Sequence, residues 1–187
     1  YLISCENDNS ATAAAQVVTI LDTLAISVYD LTTFQLGPIT IGDTTIQVPT
    51  GLHNFHTQAD LSNIGIYFVC DIQASLDLNT GIASWIFTTL DQNTLLPVTA
   101  ALDGFLPPNI NSPEGEASVN FSIKVYNNIP LNTHIDNKAF IYFDNNPPVI
   151  TPMAEVIVVG TTGIVESNNA SSNTLFIYPN PTNDRVN

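Results

Sequence analysis

The sequence predicts an all-β protein built as an antiparallel β-sandwich. Hydrophobic residues recur at every second position over most of the chain, which is the period of a strand with one buried face. Threonine and asparagine together make up over a fifth of the 187 residues, and these types favour strands and turns respectively. Helical periodicity is almost absent. The alternation, the composition and the lack of helical pattern together predict the fold class.

The alternation predicts about ten strands along the chain. They cover residues 1–5, 16–24, 38–41, 44–49, 53–60, 64–76, 82–90, 117–126, 135–143 and 154–159. Turn-forming groups such as Gly42-Asp43 and Asn79-Thr80-Gly81 separate them. So many short strands, each with one polar face, predict two packed sheets of the immunoglobulin-like type.

The composition changes after Gly160. Residues 160–174 are polar and rich in Ser, Asn and Thr, which is typical of a linker. Residues 175–187 open with an apolar stretch that predicts an extended tail strand. The sequence therefore divides into a sandwich domain over 1–159, a linker over 160–174 and a tail over 175–187.

The charge balance excludes two classes of partner. The chain has 17 Asp and Glu residues against 3 Lys and Arg, a formal net charge of −14. Nucleic acid and anionic membrane surfaces both need clustered Lys and Arg, so neither is expected to bind. No apolar run approaches the roughly 18 to 20 residues of a membrane helix, so we expect no membrane insertion. Cations, neutral glycans and other proteins remain as candidate partners.

Two cysteines could form a disulfide. The alternation places Cys5 and Cys70 on the inward faces of their strands. A bridge between them would close a long loop, worth roughly 4 kcal/mol in the chain-entropy model. Because strand pairing cannot be read from the sequence, two separate buried thiols remain the alternative.

Acidic loops could bind calcium, which prefers oxygen ligands. The candidate ligands lie in the long segment 91–116: Asp91, Asp103, Asn109, Glu114 and Glu116. A second set of oxygen-bearing side chains is expected near one end of the sandwich: Glu6, Asp8, Asp144 and Asn145. No EF-hand pattern is present, so solvated carboxylates and Asx-turns remain the alternative.

No catalytic motif occurs in the sequence. The patterns of a nucleophile elbow, a zinc protease and a phosphate-binding loop are all missing. His53 and His56 lie on opposite faces of a strand, so they cannot share a metal ion. We therefore expect no enzymatic activity.

The tail resembles the start of the type IX secretion sorting domain of Bacteroidota. That signal opens with an apolar stretch followed by Y-P-N-P-x-x-D/N, and residues 175–187, LFIYPNPTNDRVN, match this opening. The glycine-containing and basic motifs that follow in the family are missing. The resemblance implies export by a Gram-negative bacterium to an extracellular or cell-surface location.

The body resembles an uncharacterised domain that precedes such signals in Bacteroidota surface proteins. The residues that carry this resemblance are Glu6-Asn7-Asp8, Val18–Leu24, Thr33–Gly37, Thr80–Ile82, Trp85, Gly104–Asn109, Gly115-Glu116 and Ile141–Pro148. The resemblance implies an immunoglobulin-like fold and supplies no catalytic residues. Its first strand is expected to be shortened here.

Two short motifs are candidate glycosylation sites. Asp43-Thr44-Thr45 resembles the O-glycosylation pattern of Bacteroidota, and Asn169-Ala170-Ser171 is an N-x-S pattern. Thr44 lies at a turn and Asn169 in the linker, so both are expected to be accessible.

These observations favour a non-catalytic extracellular module with a structural or adhesive role. Its assembly strand would be Leu175, Phe176, Ile177 and Tyr178, added to the open sheet edge of the next copy to make a head-to-tail homopolymer. The alternative is that the tail folds back on its own sandwich. Other surface proteins or glycans are further candidate partners. A second functional class is a carbohydrate-binding accessory module of a surface enzyme, which an exposed aromatic row on one sheet would favour.

Overall fold

Twelve strands form three antiparallel sheets in residues 1–160, the part of the chain that this computed structural model describes. The strands are Leu2–Glu6 (β1), Val17–Thr23 (β2), Tyr29–Ile41 (β3), Thr44–Ile46 (β4), Asn54–Asp60 (β5), Phe68–Asp77 (β6), Ile82–Asp91 (β7), Glu116–Val125 (β8), His134–Asn137 (β9), Ala139–Phe143 (β10), Val149–Ile150 (β11) and Ala154–Ile157 (β12). A single 3₁₀ helix, Ser62–Ile64, follows β5 in this described part of the chain.

Two of the sheets pack face to face. One has four strands in the order β1-β8-β3-β4, and the other has six in the order β11-β10-β2-β7-β6-β5. A third, two-stranded sheet pairs β12 with β9. The predicted all-β sandwich is therefore confirmed. Within residues 1–160, no helix has the length and apolar character that a membrane span requires.

The core lies between the two large sheets and follows from the alternation of the strands. In β7, Ala83, Trp85 and Phe87 are fully buried, whereas the residues between them face outward. Across the interior, the ring of Trp85 lies 5.7 Å from that of Phe121 in β8. Each such buried aromatic side chain contributes roughly 2–3 kcal/mol of hydrophobic stabilisation.

Strand β3 begins nine residues earlier than the sequence predicts, at Tyr29 rather than residue 38. Its buried side chains change parity twice, because the pairing register with β8 shifts between Asp30 and Gln35 and again between Leu36 and Ile39. Such bulges break the period of two. The alternation therefore shows only the last regular part of the strand.

The predicted strand over 135–143 is two strands in different sheets. β9 pairs with β12, and β10 pairs with β2 in the six-stranded sheet. The inward residues keep one parity through both strands, so the change of partner at Lys138 leaves no mark in the pattern. The predicted strand over 64–76 begins only at Phe68, since Gly65 adopts a left-handed conformation at the end of the 3₁₀ helix.

Candidate functional site

The predicted disulfide is absent from the structure, in which both cysteines are free. Cys5 lies in β1 opposite Ala117 of the four-stranded sheet, while Cys70 lies in β6 of the six-stranded sheet. Burial raises the pKa of the Cys5 thiol to about 12 and also raises that of Cys70. The structure therefore has two separate thiols, as in the open alternative, with Cys70 buried and Cys5 partly buried.

Asp91, one of the predicted calcium ligands, belongs to a local turn. The Asp91 carboxylate accepts hydrogen bonds from the backbone N–H groups of Asn93 and Thr94, at 3.0 and 2.8 Å, and from the Thr94 hydroxyl. These bonds hold the pKa of Asp91 below its usual range. Asp91 therefore caps its own turn, as the Asx-turn alternative describes.

Asn109 and Glu116 do come together, and Glu6 joins them. Glu6 and Glu116 lie opposite each other on β1 and β8, and the Asn109 side-chain amide donates to both carboxylates, at 2.9 and 3.1 Å. Ser112 also donates to Glu116, at 2.6 Å, and holds its pKa down. Glu114 accepts only a long bond from Asn111. Neutral donors thus offset the repulsion between two carboxylates.

No three His, Cys, Asp or Glu residues within 1–160 come together as they would to hold a metal ion. The backbone N–H of Asp103 donates to the carbonyl of Ala100, at 3.0 Å, and within residues 1–160 its side chain has no hydrogen bond to another predicted ligand. Calcium binding gains no support from this geometry.

Of the modification candidates, Thr44 lies in β4 and its hydroxyl accepts a hydrogen bond from the Asn63 amide, at 3.1 Å. Asn169 lies outside the described residues. The same is true of the assembly strand, Leu175 to Tyr178, and of the tail over 175–187 to which it belongs.

A buried carboxylate lies on the inner face of the six-stranded sheet. Asp22 in β2 is fully buried, and one of its oxygens accepts a hydrogen bond from the Asn137 amide in β9, at 2.8 Å. Its other oxygen has no partner in the described part of the chain, and neither has the indole N–H of Trp85. Burial raises the pKa of Asp22 from 3.8 to about 6. This hydrogen bond thus links β9 to the six-stranded sheet.

The outer face of the six-stranded sheet, meaning the side away from the four-stranded sheet, carries a polar network. The Asp71 carboxylate in β6 accepts from the side-chain nitrogens of Gln58 and Gln73, at 3.2 and 3.0 Å. Nε2 of His56 lies 2.8 Å from the same carboxylate. Burial alone would raise the pKa of Asp71, but these hydrogen bonds outweigh it and the pKa is lowered. The carboxylate therefore orients three neighbouring side chains.

An open depression of about 520 Å³ lies beside this network. Its lining residues come from three adjacent strands: Asn54, Phe55, His56, Gln73, Ala74, Ser75, Ser84 and Ile86. The hydroxyls of Ser75 and Ser84 are 3.0 Å apart, and the Ile86 side chain is exposed. The depression is shallow, and it combines polar side chains with an apolar one.

The four edges of the two large sheets differ in length and in sequence. β4 has three residues and β11 has two. β11 also has Pro147 and Pro148 before it and Pro152 after it, and proline and shortness are two devices that protect an edge from pairing. β1 has five residues and β5 has seven. β5, with the sequence NFHTQAD, contains no proline and no lysine.

The hydrogen bonding of β5 shows which of its backbone groups have no partner within residues 1–160. Leu76 of β6 donates its N–H to the carbonyl of His53, at 2.9 Å, so these two residues form a hydrogen-bonded pair. Hydrogen-bonded pairs recur at every second residue of an antiparallel ladder, so Phe55, Thr57 and Ala59 also bond to β6. The N–H and C=O groups of Asn54, His56 and Gln58 therefore point away from β6. We call this free side of β5, which ends at Asp60, the β5 edge.

β1 has a shorter free side. Asn7 donates its N–H to the carbonyl of Gly115, so the backbone groups of Leu2, Ser4 and Glu6 point away from β8. Glu6 belongs to the pair of carboxylates already described, which adds charge to the end of this edge.

Neither the Asp71 network nor the β5 edge is predicted from the sequence. The signal for the network was present, since Asp71 and Gln73 alternate with inward residues, as do His56 and Gln58. Which strands are neighbours, and hence which polar side chains meet, is a property of the sheet order. The identity of the edge strands has the same origin.

One part of the chain is similar to a known family. The model of a family described as a domain of unknown function, DUF7619, matches residues 103–157, which span β8 to β12. No curated protein and no solved structure matches the chain. The matched segment contains Asn109, Glu116 and Asn137, and the family description assigns no activity to them.

Proposed function

We propose that this chain is a non-catalytic module of an extracellular or cell-surface protein, and that it assembles head to tail by strand addition. One observation supports this most strongly: β5 is the longest of the four edge strands, and it has no proline, no lysine and no charged residue before Asp60 at its end. Export by a Bacteroidota secretion system, and an immunoglobulin-like relationship of the sandwich, are parts of the same proposal. The sequence of residues 175–187 supports the first of these.

The donor strand would be residues 174–178, TLFIY. Its β-branched and aromatic residues favour extended backbone. Residues 161–173 separate it from the described domain and span about 45 Å when fully extended, which is enough to reach a neighbouring copy. The five residues of the donor fit within the seven of β5.

Strand addition at the β5 edge would satisfy the free backbone groups of Asn54, His56 and Gln58. Each new hydrogen bond contributes about 0.5–1.5 kcal/mol net. Because donor and acceptor are different surfaces, the contact is heterologous and repeats without closing, so the product is a filament.

The donor half of the proposal is tested by removing residues 161–187. The full chain should form filaments in electron microscopy and sediment as large species, and the shortened chain should remain a folded monomer. Phe176→Asp should act like the deletion because it places a charge in the donor strand. Thr182→Asp adds the same charge beyond the strand and should still assemble. A full chain that stays monomeric, or a shortened chain that still polymerises, would refute strand donation.

The acceptor half is tested by proline substitutions at the two longer edges. Gln58→Pro removes a free N–H of β5 without breaking a backbone bond to β6, and it should abolish assembly. Ser4→Pro removes the corresponding N–H of β1 and should leave assembly unchanged. Melting temperatures would establish that both variants fold, since Gln58→Pro also loses one bond to Asp71. The reverse pattern would assign the acceptor to β1.

A further inference from the structure

A continuous row of side chains crosses the outer face of the six-stranded sheet. The strand register places Tyr142, Thr19, Ile86, Gln73 and His56 side by side on β10, β2, β7, β6 and β5. Adjacent strands lie about 4.8 Å apart, so the row is about 19 Å long. It begins with an aromatic ring and ends at the polar network around Asp71.

Asp71 fixes the polar end of this row. Its side chain is only 11% exposed, whereas that of His56 is 62% exposed. Because the carboxylate holds one nitrogen each of His56, Gln58 and Gln73, the remaining polar atoms of these side chains are directed and free to bind a ligand. A pre-oriented polar group loses less conformational entropy on binding than a mobile one.

The second row of the same face adds hydroxyls. Ser84 and Ser75 are neighbours on β7 and β6, with Asn54 next to them on β5. Together with His56 and Gln73 of the first row they line the depression of about 520 Å³, in which Ile86 supplies an apolar surface. Exposed apolar groups between hydroxyl and amide groups match a sugar ring, which has C–H faces and a polar rim.

The charge of the face argues against an acidic ligand. Lys138, whose Nζ lies 5.6 Å from the centre of the Phe140 ring, is the single Lys or Arg on this face within residues 1–160. The chain as a whole carries a net charge of −14. An acidic polysaccharide would find almost no counter-charge here and would be repelled.

We propose that the outer face of β5, β6, β7, β2 and β10 binds a neutral oligosaccharide, which crosses the strands from the Asp71 network to Tyr142. The amides of Gln73 and Asn54 and the serine hydroxyls hydrogen-bond the rim of the sugar rings. Tyr142 and Ile86 contact their C–H faces. The site is independent of the β5 edge, since its ligand lies on the face of the sheet.

The test uses the full-length chain carrying Phe176→Asp, which should stay monomeric and enter a gel, with soluble polysaccharides as probes in affinity electrophoresis followed by calorimetry. A β-glucan, a mannan and a xylan are the neutral probes, and alginate and chondroitin sulfate are the acidic ones. At least one neutral probe should retard the protein, and neither acidic probe should. Gln73→Ala and Tyr142→Ala should each weaken binding at least tenfold, with melting temperatures measured to establish folding.

The matched control is Ser122→Ala, an exposed residue of β8 on the four-stranded sheet, and it should bind as the native chain does. Three results would overturn the proposal. They are no retardation by any neutral probe, preference for an acidic probe, and equal binding by the native chain, Gln73→Ala and Tyr142→Ala.

Discussion

Asp22 and Asp71 lie on opposite faces of the six-stranded sheet, and their carboxylates have opposite environments. Asp22 faces the core with one donor, Asn137, and burial raises its pKa to about 6. Asp71 faces outward with donors from three side chains, and its pKa is lowered. The inner face therefore destabilises the charged form of Asp22, whereas hydrogen bonds on the outer face stabilise the charged form of Asp71.

This difference indicates where the molecule can meet partners. The inner face is closed by packing, and its polar groups are few and incompletely paired. The outer face and the β5 edge instead present oriented side chains and free backbone groups. Binding by this module would therefore use surfaces and edges of sheets.

The largest effect is expected from neighbouring residues of β7 that face opposite ways. Trp85 is fully buried, and Ile86 is 37% exposed. Trp85→Ala should lower the free energy of unfolding by about 3–5 kcal/mol, because it leaves a cavity in the core. Ile86→Ala should cost about 1 kcal/mol or less. Urea denaturation measures both, and similar losses for the two variants would contradict the assignment of the faces.

Asp22→Asn should change how stability depends on pH. Because the folded-state pKa of Asp22 is raised, the stability associated with its protonated form is complete below pH 3.8 and is lost as the pH rises through about 6. The loss amounts to about 3 kcal/mol at most. Asn cannot ionise and still accepts from Asn137, so the variant should exceed the native chain by about 1–3 kcal/mol at pH 8.

The same measurement at pH 4 provides the control, because Asp22 is protonated there in the native fold and the two proteins should be nearly equal. If the native chain and Asp22→Asn are equally stable at both pH values, burial does not raise the pKa of Asp22 and this part of the account is wrong.

Asp71→Asn should have the opposite sign. A lowered folded-state pKa means that the Asp71 carboxylate stabilises the fold above its unfolded pKa, and that this stability is lost as the pH falls through the folded value. The variant should be about 1 kcal/mol less stable at pH 7. The difference should shrink on acidification, as chemical denaturation at several pH values would measure. A variant more stable than the native chain at pH 7 would be inconsistent with the network.

The smallest effect is expected from reduction. Since Cys5 and Cys70 are free and lie in different sheets, a thiol reductant should leave the melting temperature unchanged. Both thiols should react with Ellman's reagent only after unfolding, because each is shielded and has a raised pKa. A fall of several degrees on reduction would restore the disulfide hypothesis.

The sequence was sufficient for the fold class and for most strands, because a buried face repeats every two residues. The sequence did not show the strand boundaries that depend on a bulge or on a change of pairing partner. The bulges of β3 hide Tyr29 to Gly37, and the exchange of partners at Lys138 is invisible because the parity of the inward residues continues.

The candidate surfaces were less predictable. Alternation alone places Asp71 on the outer face of the sheet. The contacts of Gln58 and His56 with Asp71 depend in addition on the pairing of β5 with β6, which the sequence does not show. That β5 is an edge depends on the order of all six strands. The disulfide prediction had the same weakness, since alternation gives the face on which Cys5 and Cys70 lie but not which strands are neighbours, and both thiols are free in the structure.

The central claim is that the β5 edge accepts a strand from another copy, and amide hydrogen exchange tests it most directly. In the shortened chain, residues 1–160, the N–H groups of Asn54, His56 and Gln58 should exchange fast, because they point away from β6. In assembled full-length protein the same amides should become strongly protected, while those of Leu2 and Ser4 on β1 stay fast. Filaments in which the β5 amides still exchange freely would contradict the account.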